Sequence, residues 1–196
     1  MMLTDVGPRM VDAYTIGHSE RVADLACELA TDRGFRPRSM IWFRIGALLH
    51  DIGKIAVPVE ILNKPGPLTK REREQINVHP IAGEKLLADL GLPWDLSPMI
   101  RHHHERWNGT GYPDQLKGDE IPLTARILTI ADVYDALTTN RAYRAAYTSD
   151  RAIEIMLSES GTTFDPTLLQ LFVTRTVPRR RRLAPIAAGS PYRLDR

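Results

Sequence analysis

The sequence predicts an all-α fold. Three observations lead there. Apolar residues recur with the 3.6-residue period of an amphipathic helix, as at Val22, Leu25, Ala26 and Leu29. Helix-start signals precede the periodic segments, the clearest being Thr69 with Glu72 three residues later, a capping box. No segment alternates apolar and polar residues with the period of two that marks a half-buried strand, and no internal repeat is seen.

The elements follow in order. A first helix runs from Ile16 to Asp32 and is ended by Gly34. Pro37 and Ser39 open a second, reaching about Asp51. The stretch from Val57 to Pro67, with three prolines and a glycine, reads as a loop or short turns. Thr69 opens a helix toward His79, and Pro80 suits the first turn of the next, to about Leu90. Pro93 to Glu105 is a further helix that ends in a histidine triplet. Asn108 to Glu120 is turn-rich, with Gly109, Gly111, Pro113 and Gly118. Pro122 starts a long helix to Thr138, Ser149-Asp150 caps one to Ser158, and Asp165-Pro166 starts the last.

With 196 residues the chain has enough length for one domain with a real core. At 43% hydrophobic and 26% charged residues it has a globular profile. The single cysteine, Cys27, excludes an intrachain disulfide framework, fits a cytoplasmic setting and reads as a small buried apolar residue. No apolar run is long enough to span a bilayer, because Arg44 interrupts the best candidate. The N-terminal residues show no basic region followed by an apolar one, as a signal peptide would. The net charge is +2, yet Arg175 to Arg196 holds seven Arg and one Asp. That end, with Arg179 to Arg182 between Pro178 and Pro185, is expected to be a disordered basic tail dispensable for catalysis, and the domain to occupy residues 1–174. Without aromatic interleaving or a groove-binding motif, the tail gives no reason to expect a nucleic-acid partner.

His50 and Asp51 close the apolar run from Ile41 to Leu49. Ionisable groups in such surroundings are usually paired or bound to metal. His18, His79, the triplet His102-His103-His104 and Asp132 stand in similar settings. Histidines and aspartates converging from separate helices are what a polynuclear Fe, Mn, Zn or Ni site requires.

The strings His50-Asp-Ile-Gly-Lys-Ile-Ala-Val-Pro58 and His103-His-Glu-Arg-Trp-Asn-Gly-Thr-Gly-Tyr-Pro113 resemble the two signature motifs of the HD-GYP family, a branch of the HD-domain metal-dependent phosphohydrolases. Further matching strings include His79-Pro-Ile-Ala-Gly83, Ala131-Asp-Val-Tyr-Asp-Ala-Leu137, Arg141-Ala-Tyr-Arg144 and Phe164-Asp-Pro166, so the resemblance spans about Gly17 to Val173.

The resemblance implies an HD-domain helical bundle with a metal centre between helices and phosphodiesterase activity on cyclic di-GMP, giving pGpG, GMP or both. It implies two divalent ions, iron or manganese first and nickel or zinc next. One would take His18, His50 and Asp132, the other His79, His103 and His104, with Asp51 bridging; an activated bridging water would attack phosphorus. Lys54, one turn after His50, would contact the scissile phosphate, and Arg141 and Arg144 would grip phosphate oxygens. Asp135 would orient the nucleophilic water or buttress Arg141. Glu105 would hold a ligand imidazole in its tautomer, leaving His102 as an extra histidine. The Gly111-Tyr112-Pro113 turn either serves as a docking loop, for substrate or for a cyclase or sensor protein, or is simply a stiff turn.

Three positions depart from the family pattern. Tyr14 stands where relatives with three ions carry a glutamate, which argues against a third ion in this centre. Asn108 replaces the usual aspartate, and Gln115 stands where glycine is common. Few residues precede His18, so sensory input is expected from elsewhere. Two rival readings remain: an HD phosphohydrolase acting on another cyclic dinucleotide or a nucleotide, and a binding module without turnover.

Overall fold

A computed structural model of the protein describes residues 13–140 and 145–183. The helices are α1 (Ala13–Asp32), α2 (Pro37–Leu49), α3 (Val59–Leu62), α4 (Lys70–Ile76), α5 (His79–Ala88), α6 (Ser97–His102), α7 (Leu123–Thr138), α8 (Ser149–Ser158), α9 (Pro166–Leu171) and α10 (Val177–Leu183). A 3₁₀ segment over Ile52–Ala56 follows α2, and a π-helical turn over Phe172–Thr176 joins α9 to α10. Among the described residues the only β pairing is two isolated bridges, Asn108 with Lys117 and Ser160 with Phe164.

The apolar stripe of α1 organises the bundle. Val22, Ala23, Ala26, Leu29 and Ala30 are fully buried, and the three alanines let the α1 backbone lie close to its neighbours. The stripe packs with α2 and with α7, whose Ile127, Leu128, Ile130 and Ala131 are likewise fully buried. Each large aliphatic side chain removed from water contributes roughly 1.5–3 kcal/mol, so this seam is the main anchor of the fold. Cys27 packs against it, half buried, as expected of a small apolar residue. His18 lies one turn before Val22 on α1, and Asp132 and Asp135 lie on α7. The seam therefore carries ionisable groups at one end of an apolar interface.

The capping box forms as predicted, with the Thr69 hydroxyl accepting from the Glu72 amide and the Glu72 carboxylate accepting from the Thr69 amide. It fixes the start of α4, which leads directly to His79. Gly53 is required by packing, because a Cβ there would overlap the backbone of His79 and Gly83. This close approach brings the segment after Asp51 onto the first turn of α5. Gln115 adopts φ 57°, the left-handed region that suits glycine, which accounts for the glycine common there in the family.

The predicted boundary at residue 174 needs correction. Residues 175–183 are helical and packed rather than a loose tail. Thr176 is fully buried and Val177 nearly so. Thr176 donates to Asp32 at 2.7 Å, and Arg179 donates to both Asp32 oxygens at 2.7 and 3.1 Å. Arg180 pairs with Glu28 and Arg181 with Asp150. In the sequence, an arginine run between Pro178 and Pro185 reads as a loose tail. Here the wide turn ends as α10 begins, so Pro178 falls in the first turn of a new helix, where its missing N–H costs nothing. Residues 184–196 lie outside the described residues.

Candidate metal centre

Both halves of the His50-Asp51 pair sit where α2 gives way to the 3₁₀ turn, and His103-His104 sit where α6 has ended. Consecutive residues within a helix point about 100° apart. Leaving the helix lets neighbours in sequence serve one centre. The expected helix to Glu105 is thus shorter than predicted, ending at His102, and that early end is functional.

Three histidines share one local device. The Nδ1 of His50, His79 and His103 lies 2.7, 2.9 and 2.7 Å from the carbonyl oxygens of Ala47, Ile76 and Ile100, each three residues earlier. A carbonyl oxygen only accepts, so Nδ1 carries the proton and each Nε2 presents a lone pair. The Thr129 hydroxyl donates to the His103 carbonyl oxygen at 2.8 Å and steadies that turn from α7.

The donor atoms fall into two groups. Asp51, His79, His103 and His104 form one; His18, His50 and Asp132 form the other; within each, the atoms lie within 4.8 Å of one another. Asp51 joins them. Its Oδ1 is 3.3 Å from His79 Nε2, and its Oδ2 is 3.4 Å from His50 Nε2. Across the second group, His18 Nε2 is 3.2 Å from Asp132 Oδ1. His79 Nε2 and His103 Nε2 face each other at 3.3 Å. His50 Nε2 is buried and has no hydrogen-bond partner. Facing lone pairs and an orphaned buried nitrogen are unfavourable unless a cation accepts them. The residues present fit a pair of divalent ions, with imidazole-rich donors that favour Fe, Mn, Zn or Ni over Mg or Ca.

Electrostatics divide the ligands. Burial, helped by neighbouring imidazoles, pushes His103 far below the usual histidine range, and burial lowers His104 to about 4. Both are therefore neutral and ready to ligate. Burial opposes charge on His18, but hydrogen bonds to Asp132 and Asp135 outweigh it and raise it to about 9. Burial likewise opposes charge on His50, and the attraction of Asp51 outweighs it and raises it. Asp51 and Asp132 are held below the usual carboxylate range against their burial, Asp51 by His50, His79 and Lys54, and Asp132 by His18 and His50. Both carboxylates are thus ionised and available to a cation.

Lys54 Nζ stands 2.5 Å from Asp51 Oδ2, half exposed at the mouth. Tyr112 stacks on His104, with ring centroids 4.9 Å apart and planes at 23°, and its N–H donates to the His104 carbonyl oxygen. A Cβ on Gly111 would overlap the backbone of Glu105 and Arg106, so the turn needs glycine there.

Two expected roles change. Asp135 does not face the donor groups. It is buried, its Oδ2 takes the His18 Nδ1 proton at 2.7 Å, and both oxygens accept from Arg21 at 2.6 and 3.1 Å. That geometry holds the His18 imidazole through Nδ1; the other expected partner, Arg141, lies outside the described residues. Glu105 bonds no ligand imidazole; its Oε1 accepts the Asp114 N–H at 2.7 Å and so ties down the chain after the turn. Arg21 had been assigned no role, although its place one turn after His18 could have suggested one. Arg141, Arg144 and the side chain of Tyr14 lie outside the described residues.

Comparison with known proteins gives the family. The family model described as "HD domain" matches residues 9–168. This chain belongs to the HD domain family. Within it, the Gly-Tyr-Pro signature and relatives named cyclic di-GMP and 3'3'-cGAMP phosphodiesterases place the chain in the HD-GYP branch. The chain is 44% identical over 161 residues to the 3'3'-cGAMP-specific phosphodiesterase 3 of Vibrio cholerae serotype O1, covering 81% of this chain and 35% of that protein. It is 40% identical over 157 residues to the cyclic di-GMP phosphodiesterase response regulator RpfG of Xanthomonas campestris pv. campestris, covering 79% and 42%. This HD domain therefore spans well under half the length of these curated relatives. Among solved structures, a cyclic GMP-AMP-specific phosphodiesterase of V. cholerae superposes with a TM-score of 0.66 at 21% identity, covering 88% of this chain and 46% of that one. An HD-GYP protein from Bdellovibrio bacteriovorus gives 0.66 at 25% identity, covering 81% and 51%. Among the described residues no helix is long and apolar enough to cross a membrane.

Proposed function

We propose that this chain is a metal-dependent phosphodiesterase domain that hydrolyses cyclic di-GMP to pGpG, GMP or both. The observation that carries the reading is the bridging position of Asp51, with one oxygen toward each donor group. Relatives named cyclic di-GMP phosphodiesterases support the substrate class. Two divalent ions, when bound, supply a nucleophilic water at neutral pH and neutralise charge on phosphate oxygens.

The chain's own residues prepare the rest. His50, His79 and His103 are held in one tautomer by carbonyl oxygens, so they need no reorganisation to ligate. Lys54, at the mouth beside Asp51, meets the scissile phosphate and stabilises the negative charge that develops on it. Arg141 and Arg144 are proposed as further phosphate contacts on the strength of their motif. Tyr112, stacked on His104, forms part of the rim against which the substrate lies. The Gly111-Tyr112-Pro113 turn is also the proposed docking point for a cyclase or sensor protein. Iron or manganese is the proposed metal, and the cytoplasm, where such a messenger acts, the proposed location.

A second reading, 3'3'-cGAMP as substrate, has a specific observation in its favour: the 44% identity to a phosphodiesterase named for that molecule. One experiment separates the readings. The protein is reconstituted anaerobically with Fe(II) or Mn(II), given each cyclic dinucleotide in turn, and the products are chromatographed. Faster turnover of cyclic di-GMP supports the main reading. Preference for cGAMP moves the chain to the second, and absence of turnover with either metal leaves a binding module.

A further inference from the structure

A second set of donors flanks the ligand histidines and is not used by the centre just described. His102 ends α6, Glu105 follows three residues later, and Asp114 lies beyond the Gly-Tyr-Pro turn. His102 Nδ1 is 3.4 Å from Asp114 Oδ2 and 4.0 Å from Glu105 Oε1. One donor atom from each of the three lies within 4.8 Å of the others, and the group shares no residue with the two groups around Asp51.

Two atoms there point to a ligand. Glu105 is only 2% exposed, and its Oε2 has no hydrogen-bond partner. His102 Nδ1 is buried and also without a hydrogen bond. The charged groups that face His102 are Asp114, Glu105, Arg101 and Glu84, three carboxylates against one guanidinium. Arg101 clamps both oxygens of Asp114, at 2.7 and 2.8 Å, and pairs with Glu84. It fixes Asp114 in place, while the buried Glu105 keeps only the Asp114 N–H, on Oε1, and leaves Oε2 without a partner. A buried carboxylate oxygen without a partner is costly, and a cation relieves that cost.

We propose that His102, Glu105 and Asp114 hold a single first-row divalent cation, separate from the pair around Asp51. An imidazole and two carboxylates are a ligand set for zinc or manganese. Ligands about 2.1 Å from a tetrahedral ion stand roughly 3.4 Å apart, the separation found between His102 and Asp114. Glu105 Oε1, at 4.0 Å, holds the Asp114 N–H, and a turn of the carboxylate about that bond brings the unpartnered Oε2 to the ion. The ion links the end of α6 to the chain just after Tyr112. Because Tyr112 lies on His104, the link steadies the aromatic cover of the neighbouring centre.

Equilibrium dialysis of the full chain against Zn(II), with elemental analysis of bound metal, tests the proposal. Wild type is expected to hold three equivalents, Asp51→Ala one, and both His102→Ala and Asp114→Asn two. Asp114→Asn is nearly isosteric on a partly exposed side chain, so it keeps the comparison valid should His102→Ala unfold. A wild-type count equal to that of Asp114→Asn overturns the proposal, as does a third equivalent retained in both variants. A failure of the Asp51 centre is read separately, from a count that Asp51→Ala does not lower by two.

Discussion

The Nε2 atoms of His79 and His103 face each other across 3.3 Å, each with its proton committed to the other ring nitrogen. Two lone pairs at that distance repel. A cation bound between them would convert that repulsion into ligation. The two donor groups share Asp51, so removing that carboxylate is expected to release both ions together. Asp51→Ala should lose two equivalents relative to wild type and all turnover, measured by elemental analysis beside the nucleotide assay. Retention of one of the two would show that the groups bind independently and that Asp51 is not a bridge.

Lys54 is expected to act on rate rather than on assembly. Its ammonium pairs with Asp51 Oδ2 and is a member of neither donor group. Lys54→Ala should keep its metal and lose kcat by on the order of 10²- to 10³-fold, the usual effect of deleting one stabiliser of developing charge. Metal loss in this variant would make the lysine structural.

Asp135 should behave as a positioning residue. It holds His18 by Nδ1 and is itself held by Arg21. Asp135→Asn can keep the shape but not the charge, and the affinity of the His18–His50–Asp132 group for metal should fall by roughly 10- to 100-fold. Saturating metal should restore most of the activity. Activity that stays low at full metal occupancy would return Asp135 to a direct catalytic role.

The C-terminal boundary carries a stability prediction. Truncation after Leu183 should leave the melting temperature close to that of the full chain, whereas truncation after Thr174 should lower it markedly. The second cut removes buried Thr176 and Val177 and both partners of Asp32. Arg179→Ala alone should cost about 1 kcal/mol, since the guanidinium is partly exposed and screened. Equal melting temperatures for the two truncations would restore the boundary at residue 174.

The ligands were legible in the sequence because each belongs to a short local string. His50-Asp51, His79-Pro80 and His103-His104 stand at helix ends, and the device that orients three of them reaches back only three residues. Helix positions were legible for the same reason, through period and caps. The partners of those ligands were not. Asp135 meets His18 across 117 residues, and Thr129 reaches the His103 carbonyl across 26. The α10 segment was misread because its arginines look solvated until Asp32, 147 residues away, is placed beside Arg179. The sequence by itself determined most of the helices, the order of the seven candidate ligands and the chemistry those donor types favour, since these depend on backbone propensity and residue identity. Only the tertiary structure showed that Asp135 holds His18 and that residues 175–183 pack onto Asp32 and Glu28, because those contacts depend on where the fold brings distant side chains together.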